Sequence, residues 1–405
     1  MTVALEKLVY YEQQVNDRFG TSSADAVPEF MRPENQQECQ LAWCRMPVDE
    51  AEVFVEQPFE AAAVAADLSR EGHILYPVHP LEEDRIDAGN MVYSGHIRFS
   101  ASYRTVFYRP EPGGPLSTVG EPGHTTMLKL NLEKAIPGIP GDRRLGRDAV
   151  LRCVLLGNVL RKELSRHCPA SDLRIIAEPI GLFANGAGTL VRPVPDDGIV
   201  PLFALYSGDR RNSENRSLLD IEVRRRYGDD NRACARRFGD DIGRPLVRAL
   251  IDGFRCGFSL EMHAQNTLVS IGESRLIDNV YFRDLEGALV SNELRTELGL
   301  EPIPLPGHNV FGGKDDFPLG RFFNRNLDHD IGRVLRGCLR TLSRSGYFGD
   351  KDVRIATDSI RQAARDELRS ANLPIAAAAR RFLPFSRAPW GSGMRPGHWF
   401  RTEFR

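Results

Sequence analysis

The stretch "LGRDAVLRCVLLGNVLRKELSRHC", residues 145–168, decides the fold class. Its apolar residues recur at spacings of three and four, the period of a helix that packs one face on a sheet. Short β-like runs lie on both sides of it. Before it come "HILYPVH" (73–79), "MVYSGHIRFSA" (91–101), "TVFYR" (105–109) and "TTMLKLNL" (125–132). After it come "LRIIAEP" (173–179), "GTLVRPV" (188–194) and "IVPLFALY" (199–206). One long helix set among strands predicts an α/β (α+β) fold with a β-rich middle.

Further out, residues 1–72 read as two helix-like segments, "ALEKLVYYEQQVNDRFG" and "DEAEVFVEQPFEAAAVAADLSREG", joined by a Pro/Ser/Asn-rich connection that holds Cys39 and Cys44. Past the strands, the charge-dense segment 207–241 interleaves arginines with acids and has no aromatic ladder. That pattern suits a solvated helical face better than a nucleic-acid surface. A helix "GRPLVRALIDGFRCG" follows, then strand-like "FSLEMHAQNTLVSIG" and "RLIDNVYFRDLEG", then a mainly helical last third. Three regions result: 1–72, 73–225 and 226–405.

The chain has 405 residues and a formal net charge of −2. That balance offers no electrostatic reason for a nucleic-acid or membrane partner. No apolar run reaches the roughly 18 residues of a spanning helix, and the first residues lack a signal layout, so a cytoplasmic location is expected. Seven scattered cysteines without a CxxC pair read as buried free thiols.

Several short constellations carry chemistry. In "EMHAQNTL" (261–268), strand alternation puts Glu261, His263 and Gln265 on one face and Met262, Ala264 and Asn266 on the other, unless a bulge turns Asn266 back. A polar face beside a buried run describes the lining of a polar cleft, although a solvent-facing strand alternates equally well. "VYFRDLEG" ends a strand in a loop whose Asp284 suits a Mg²⁺ ligand, a surface pair with Arg283 or a turn cap. In "FSASYRTVFY", Ser100, Ser102 and Arg104 share a strand face, and a guanidinium suits phosphate or carboxylate. Lys129 interrupts an apolar strand in a chain with only six lysines among 53 basic residues. It serves either as a point charge for phosphate or as a snorkelling side chain. On the first reading, Lys129→Met should leave thermal stability almost unchanged. "GDRRL" adds Arg143 and Arg144 ahead of the long helix. In "PVHP", His79 between two prolines is held rigidly, as a structural residue, a ligand contact or a base.

Taken in order, "PVHP" (77–80), "SYRT" (102–105), "KLNL" (129–132), "RRL" (143–145), "EMHAQN" (261–266) and "RDLEG" (283–287) resemble the IucA/IucC family of siderophore synthetases, which work independently of nonribosomal peptide synthetases. The resemblance implies a cupped-hand fold of thumb, fingers and palm. The thumb is reduced here (1–72), 73–225 is fingers-like, and 226–405 is palm-like. It also implies an enzyme that uses ATP and Mg²⁺ to adenylate a carboxylic acid and joins it to an amine or alcohol, with a homodimer as one assembly open to it. By similarity, Ser102, Arg104, Thr105, Lys129, Arg143, His263, Gln265 and Asn266 bind ATP, with His263, Arg143 and Arg104 catalytic. Ser100, His79 and Arg144 face the acyl substrate, and Glu261 and Asp284 hold the metal. Arg144 competes with Arg143 for its role, because the spacing from Lys129 is two residues long.

Departures from the family pattern are concentrated on the acyl side. No histidine precedes His73, so the family's His-Pro-x-His-Pro segment is missing. "RPEPGGPLSTVGEPGH" is inserted after Ser-x-Arg-Thr, "LE" replaces Trp-Gln after "PVHP", and the tail "APWGSGMRPGHWF" lacks a lysine. The nucleotide half looks intact and citrate is not assumed. Phosphoryl transfer and a non-catalytic metabolite-binding relative remain as alternatives.

Overall fold

The computed structural model describes residues 3–16, 27–119, 125–135, 143–195, 198–211, 216–305, 310–311 and 325–371. The tail "APWGSGMRPGHWF" and residues 120–124 of the insertion lie outside them. The described strands as far as residue 193 are β1 (Glu38–Pro47), β2 (Ala51–Val55), β3 (Ser69–Arg70), β4 (His73–Val78), β5 (Met91–Phe99), β6 (Thr105–Arg109), β7 (Thr126–Lys129), β8 (Leu173–Ile175), β9 (Ile180–Ala184) and β10 (Ala187–Pro193). All but β8 form one nine-stranded sheet in the order β2-β9-β10-β7-β6-β5-β1-β4-β3. Every pairing in it is antiparallel.

This sheet curls. The Thr189 hydroxyl on β10 donates to the Tyr76 hydroxyl on β4 across 3.1 Å, although four strands separate β10 from β4 in the sheet order. Inside the curl lies a core containing Trp43, Tyr76, Tyr108, Leu128, Leu130 and Val191. The insertion contributes to it: Leu116 and Val119 are buried there, and the Pro115 carbonyl accepts from the Tyr108 hydroxyl at 2.9 Å.

Helix α3 spans Arg147–His167, as the periodicity predicts, and buries Val150, Cys153, Val154, Gly157, Leu160 and Leu164. It lies against the β9–β10 hairpin at close range. A Cβ placed on Gly181 would meet Val150 at 2.4 Å, and one on Gly188 would meet Val150 at 2.4 Å and the Leu145 carbonyl at 2.6 Å. Two glycines thus set how near the helix can come.

The second sheet holds β8, β11 (Val200–Pro201), β13 (Thr267–Ile271) and β14 (Ile277–Phe282), in the order β11-β13-β14-β8. Helix α1 (Val3–Gln14) joins the two sheets. Its Leu5, Leu8 and Val9 cluster with Phe107 and Met127 of the large sheet and with Leu268 and Tyr281 of the small one. The main core beyond α3 is helical and includes Arg244–Arg255, Gly332–Arg344 and Asp350–Ser370. Segment 207–241 supplies helices Leu218–Tyr227 and Asn231–Phe238. Its arginines pair with acids, as in Arg224–Asp220 at 3.1 Å and Arg225–Glu222 at 2.8 Å.

The N-terminal reading needs correction. The supposed connection around Cys39 and Cys44 is β1, which sits between β5 and β4. The second expected helix is β2 followed by a shorter helix, α2 (Ala61–Leu68). Pairing with neighbouring strands, on both edges for β1 and on one for β2, overrides a weak local propensity. A boundary at 72 therefore falls inside the large sheet, and one at 225 falls inside Leu218–Tyr227.

Candidate active site

Sheet register brings the motifs together. Thr105 on β6 lies directly opposite Lys129 on β7, so Ser-Tyr-Arg-Thr and Lys-Leu-Asn-Leu are cross-strand neighbours. Ser100–Arg104 is not strand, as alternation suggested, but the loop that joins β5 to β6. The Ser100 hydroxyl, buried, donates to the Thr105 carbonyl at 2.9 Å and accepts from the Ser102 amide at 3.1 Å. Its task is to shape the loop that carries Arg104. His79 supports the same loop. Its Nδ1 accepts from the Leu81 amide at 3.1 Å, leaving Nε2–H to donate to the Tyr103 carbonyl at 3.0 Å. Burial pushes its pKa down to about 4, against that hydrogen bond. Both nitrogens of His79 are thus occupied, which leaves the ring a positioning role.

The centre is a charge cluster. Lys129, 3% exposed, ion-pairs with Asp284 and with Glu286 at 2.8 Å. Arg104 reaches Glu286 at 2.6 Å, and its other nitrogen donates to the Arg143 carbonyl at 2.5 Å. Burial alone would raise both carboxylates, but Lys129 outweighs it, with help from Arg192 at Asp284 and Arg104 at both, and holds each below its ordinary range. Burial lowers the Lys129 pKa, yet Asp284 and Glu286 together keep it above the usual lysine value. Asp284 adopts a left-handed backbone with φ of 72°, a conformation that Asp tolerates better than most residues. Deeper still, Glu178 pairs with Arg192 and accepts from the Leu285 amide at 3.2 Å, anchoring the loop.

"EMHAQN" is not a strand either. β12 (Phe258–Ser259) stops short of it, and the chain turns at Ala264–Asn266 before β13. The alternation survives as burial: Glu261, His263 and Gln265 are half-buried, whereas Met262, Ala264 and Asn266 are buried. The turn is tied by His263, whose Nδ1 faces the amides of Gln265 and Asn266 at 3.2 and 3.3 Å. The Gln265 amide donates to the Ala101 carbonyl at 2.9 Å, linking this turn to the Arg104 loop. A Cβ on Gly287 would lie 2.7 Å from the Glu261 carboxylate, so Glu261 sits against the "RDLEG" loop. Arg283 turns inward to Glu12 of α1, whose other oxygen accepts from the Ala101 amide at 3.0 Å. It is not a surface partner of Asp284.

Arg143 and Arg144 are exposed at the edge of the site. Burial raises the Tyr103 pKa and Arg143 opposes it, which puts the Arg143 charge beside the Ser100–Arg104 loop. Arg144 lies 3.9 Å from Glu133. Three residues escaped the sequence reading: Glu286, Glu12 and Glu178. A signal existed for Glu12, which falls on the apolar face of α1 in step with Leu5, Leu8 and Val9.

Comparison with solved structures gives the same fold. The aerobactin synthetase IucC from a hypervirulent pathotype of Klebsiella pneumoniae superposes with a TM-score of 0.64 at 16% identity, covering 92% of this chain and 69% of that one. This chain shares the IucA/IucC synthetase fold. ATP-bound aerobactin synthetase IucA from the same source gives 0.62 at 15% identity, over 92% of this chain and 74% of that one. The petrobactin biosynthesis protein AsbB from Bacillus anthracis gives 0.61 at 15%, over 91% and 73%. No family model matches the sequence, and no curated protein does. Among the described residues no helix is long and apolar enough to cross a membrane.

Proposed function

We propose that the protein is an ATP-dependent, AMP-forming ligase. It adenylates a carboxylic acid and passes the acyl group to an amine or alcohol, in the biosynthesis of a siderophore or related specialised metabolite. The observation that carries this reading is the pair of buried cations, Lys129 and Arg104, held by the 284–286 loop on a fold shared with siderophore synthetases.

Attack of a carboxylate on the α-phosphate gathers negative charge on the phosphoryl oxygens, and fixed cations in a partly dry cleft stabilise it. Lys129 is charged at neutral pH and supplies a point charge; Arg104 and Arg143 supply planar forks for phosphate or carboxylate. His263 offers Nε2, because with Nδ1 accepting from the turn amides the neutral ring carries its proton on Nε2. Ser102, Thr105, Gln265 and Asn266 order the loops around these groups and border the nucleotide.

Oxygen donors from Glu261, Asp284 and Glu286 suit a hard divalent cation. Among the described residues, no three His, Cys, Asp or Glu side chains are grouped to hold a metal unaided. Magnesium needs no such cage, since it takes one or two carboxylates and shares its other positions with water and phosphates. The donor set fits it, with Glu261 and Asp284 as protein ligands. Bound there, it would neutralise phosphate charge.

Incubation with ATP, Mg²⁺, candidate acids and hydroxylamine tests the reading, with pyrophosphate and AMP as expected products. ADP as the sole nucleotide product would make the protein a phosphotransferase, and binding without turnover across the panel would make it a non-catalytic relative. The buried cations Lys129 and Arg104 are already answered by Asp284 and Glu286, which argues for an acid with fewer carboxylates than citrate, since charges buried without partners are costly. A tenfold preference for citrate in kcat/KM over dicarboxylates and amino acids would overturn that part.

A further inference from the structure

A closed ring of hydrogen bonds joins helix α1 to the loops of the candidate site. The Ala101 amide donates to one carboxylate oxygen of Glu12 at 3.0 Å, and the Ala101 carbonyl accepts from the Gln265 side chain at 2.9 Å. The Gln265 carbonyl in turn accepts from Arg283 Nε at 3.0 Å, and the Arg283 fork returns to the other oxygen of Glu12. A further bond braces the ring, from the Arg283 amide to the Asn266 carbonyl at 2.9 Å. Helix α1 also grips the base of the Arg104 loop, because the Gln13 side chain donates to the Phe99 carbonyl at 3.3 Å.

Each bond of the ring ends beside a group proposed to meet the ligand. Ala101 lies in the loop that carries Arg104, Gln265 belongs to the turn tied by His263, and Arg283 immediately precedes Asp284. Glu12 is 0% exposed and Arg283 is 4% exposed, so both act on a ligand only through the loops they tie. Glu12 and Ala101 are 89 positions apart, and Ala101 and Gln265 are 164 apart. No local turn can hold such segments in register. A carboxylate suits the junction, since its two acceptor oxygens serve a guanidinium and an amide at once. A buried polar network whose members answer one another is rigid.

We infer that Glu12 is a positioning residue of the candidate site. Its carboxylate locks the Arg104 loop, the His263 turn and the Asp284 loop into one register, which makes α1 part of the machinery that receives the ligand. The inference rests on the reading of those loops as the ligand site, but the coupling of the loops is measured without turnover. It can therefore fail separately from AMP formation.

Hydrogen–deuterium exchange of the whole protein tests the coupling. Glu12→Gln keeps the size of the side chain but loses its charge and one acceptor oxygen. In that variant the amides of 100–105, 263–267 and 283–287 should exchange together, roughly tenfold faster than in the wild type or more, as a shared local opening requires. Amides of the helix Asp350–Ser370 should keep their wild-type rates. With ATP, Mg²⁺, an accepted acid and hydroxylamine, kcat for pyrophosphate release should fall about tenfold to a hundredfold, the scale of a displaced catalytic group. Glu12→Asp retains both oxygens on a shorter stem and should fall between the two proteins in both readouts. Faster exchange confined to 99–102, or spread equally into Asp350–Ser370, would make Glu12 a packing residue and overturn the inference. Loosened loops with an unchanged kcat would overturn it too. A wild type that releases no pyrophosphate sinks the proposed reaction, and the exchange pattern then decides the role of Glu12. Should Glu12→Gln not fold, Glu12→Asp decides alone, and loop exchange within twofold of wild type overturns the inference.

Discussion

Lys129→Met is the most informative single perturbation, and the structure changes what it should do. From the sequence, a methionine that keeps the apolar stem should leave stability nearly untouched. In the fold, Lys129 is the shared partner of Asp284 and Glu286, whose side chains keep only 28% and 30% exposure. After the change Glu286 retains Arg104, but Asp284 keeps only the more distant help of Arg192 and Arg104. Deleting one partner of a buried pair costs roughly 3–5 kcal/mol. Partial exposure and the remaining arginines put this case near the lower end, about 3 kcal/mol at pH 7. The pH dependence is diagnostic. In the wild type both carboxylates titrate below their unfolded values. Their stabilising contribution is therefore complete above a pH of about 4 and is lost as pH falls through the folded values. In the variant, burial is no longer opposed by Lys129, so both values rise, and protonation relieves the penalty as pH falls. The gap between the two proteins in urea unfolding should accordingly be narrower at pH 5 than at pH 7. A loss below about 1 kcal/mol that does not vary with pH would refute the compensation argument.

Three further outcomes follow from particular contacts. His263→Ala should reduce turnover by about two to three orders of magnitude, the scale of one lost transition-state donor, and cost about 1 kcal/mol through the untied turn; a drop under tenfold at saturating ATP makes His263 a bystander. His79, with a folded pKa of about 4 below its unfolded value of about 6.5, contributes stability that is complete above the unfolded value. That contribution is lost at up to about 1.4 kcal/mol per pH unit as pH falls toward the folded value. An imidazole resonance assigned to His79 that titrates near 6.5 would contradict this. Gly188→Ala must push Val150 or the Leu145 carbonyl aside, and urea unfolding should show a loss of about 1–3 kcal/mol; an unchanged midpoint would mean that α3 is free to shift.

Local pattern was legible where neighbours along the chain decide the outcome. The three-and-four spacing of α3, the β-branched and aromatic run "TVFYR", and the helices after residue 330 are set by residues close together along the chain. The order of the motifs also pointed to the synthetase fold. The loops around them were misread as strand, because the Ser100 and His263 side chains bond nearby backbone groups in a way that periodicity does not reveal.

By itself the sequence determined the mixed α/β class, the long helix among strands and the set of polar motifs that meet in one place. Only the tertiary structure decided that β1 runs through the middle of the large sheet, that the sheet curls until Tyr76 meets Thr189, and which charge answers which. Lys129 finds Asp284 155 positions away and Arg283 finds Glu12 271 positions away. Pairings at such separations come from how sheets and helices stack, and no local period encodes them.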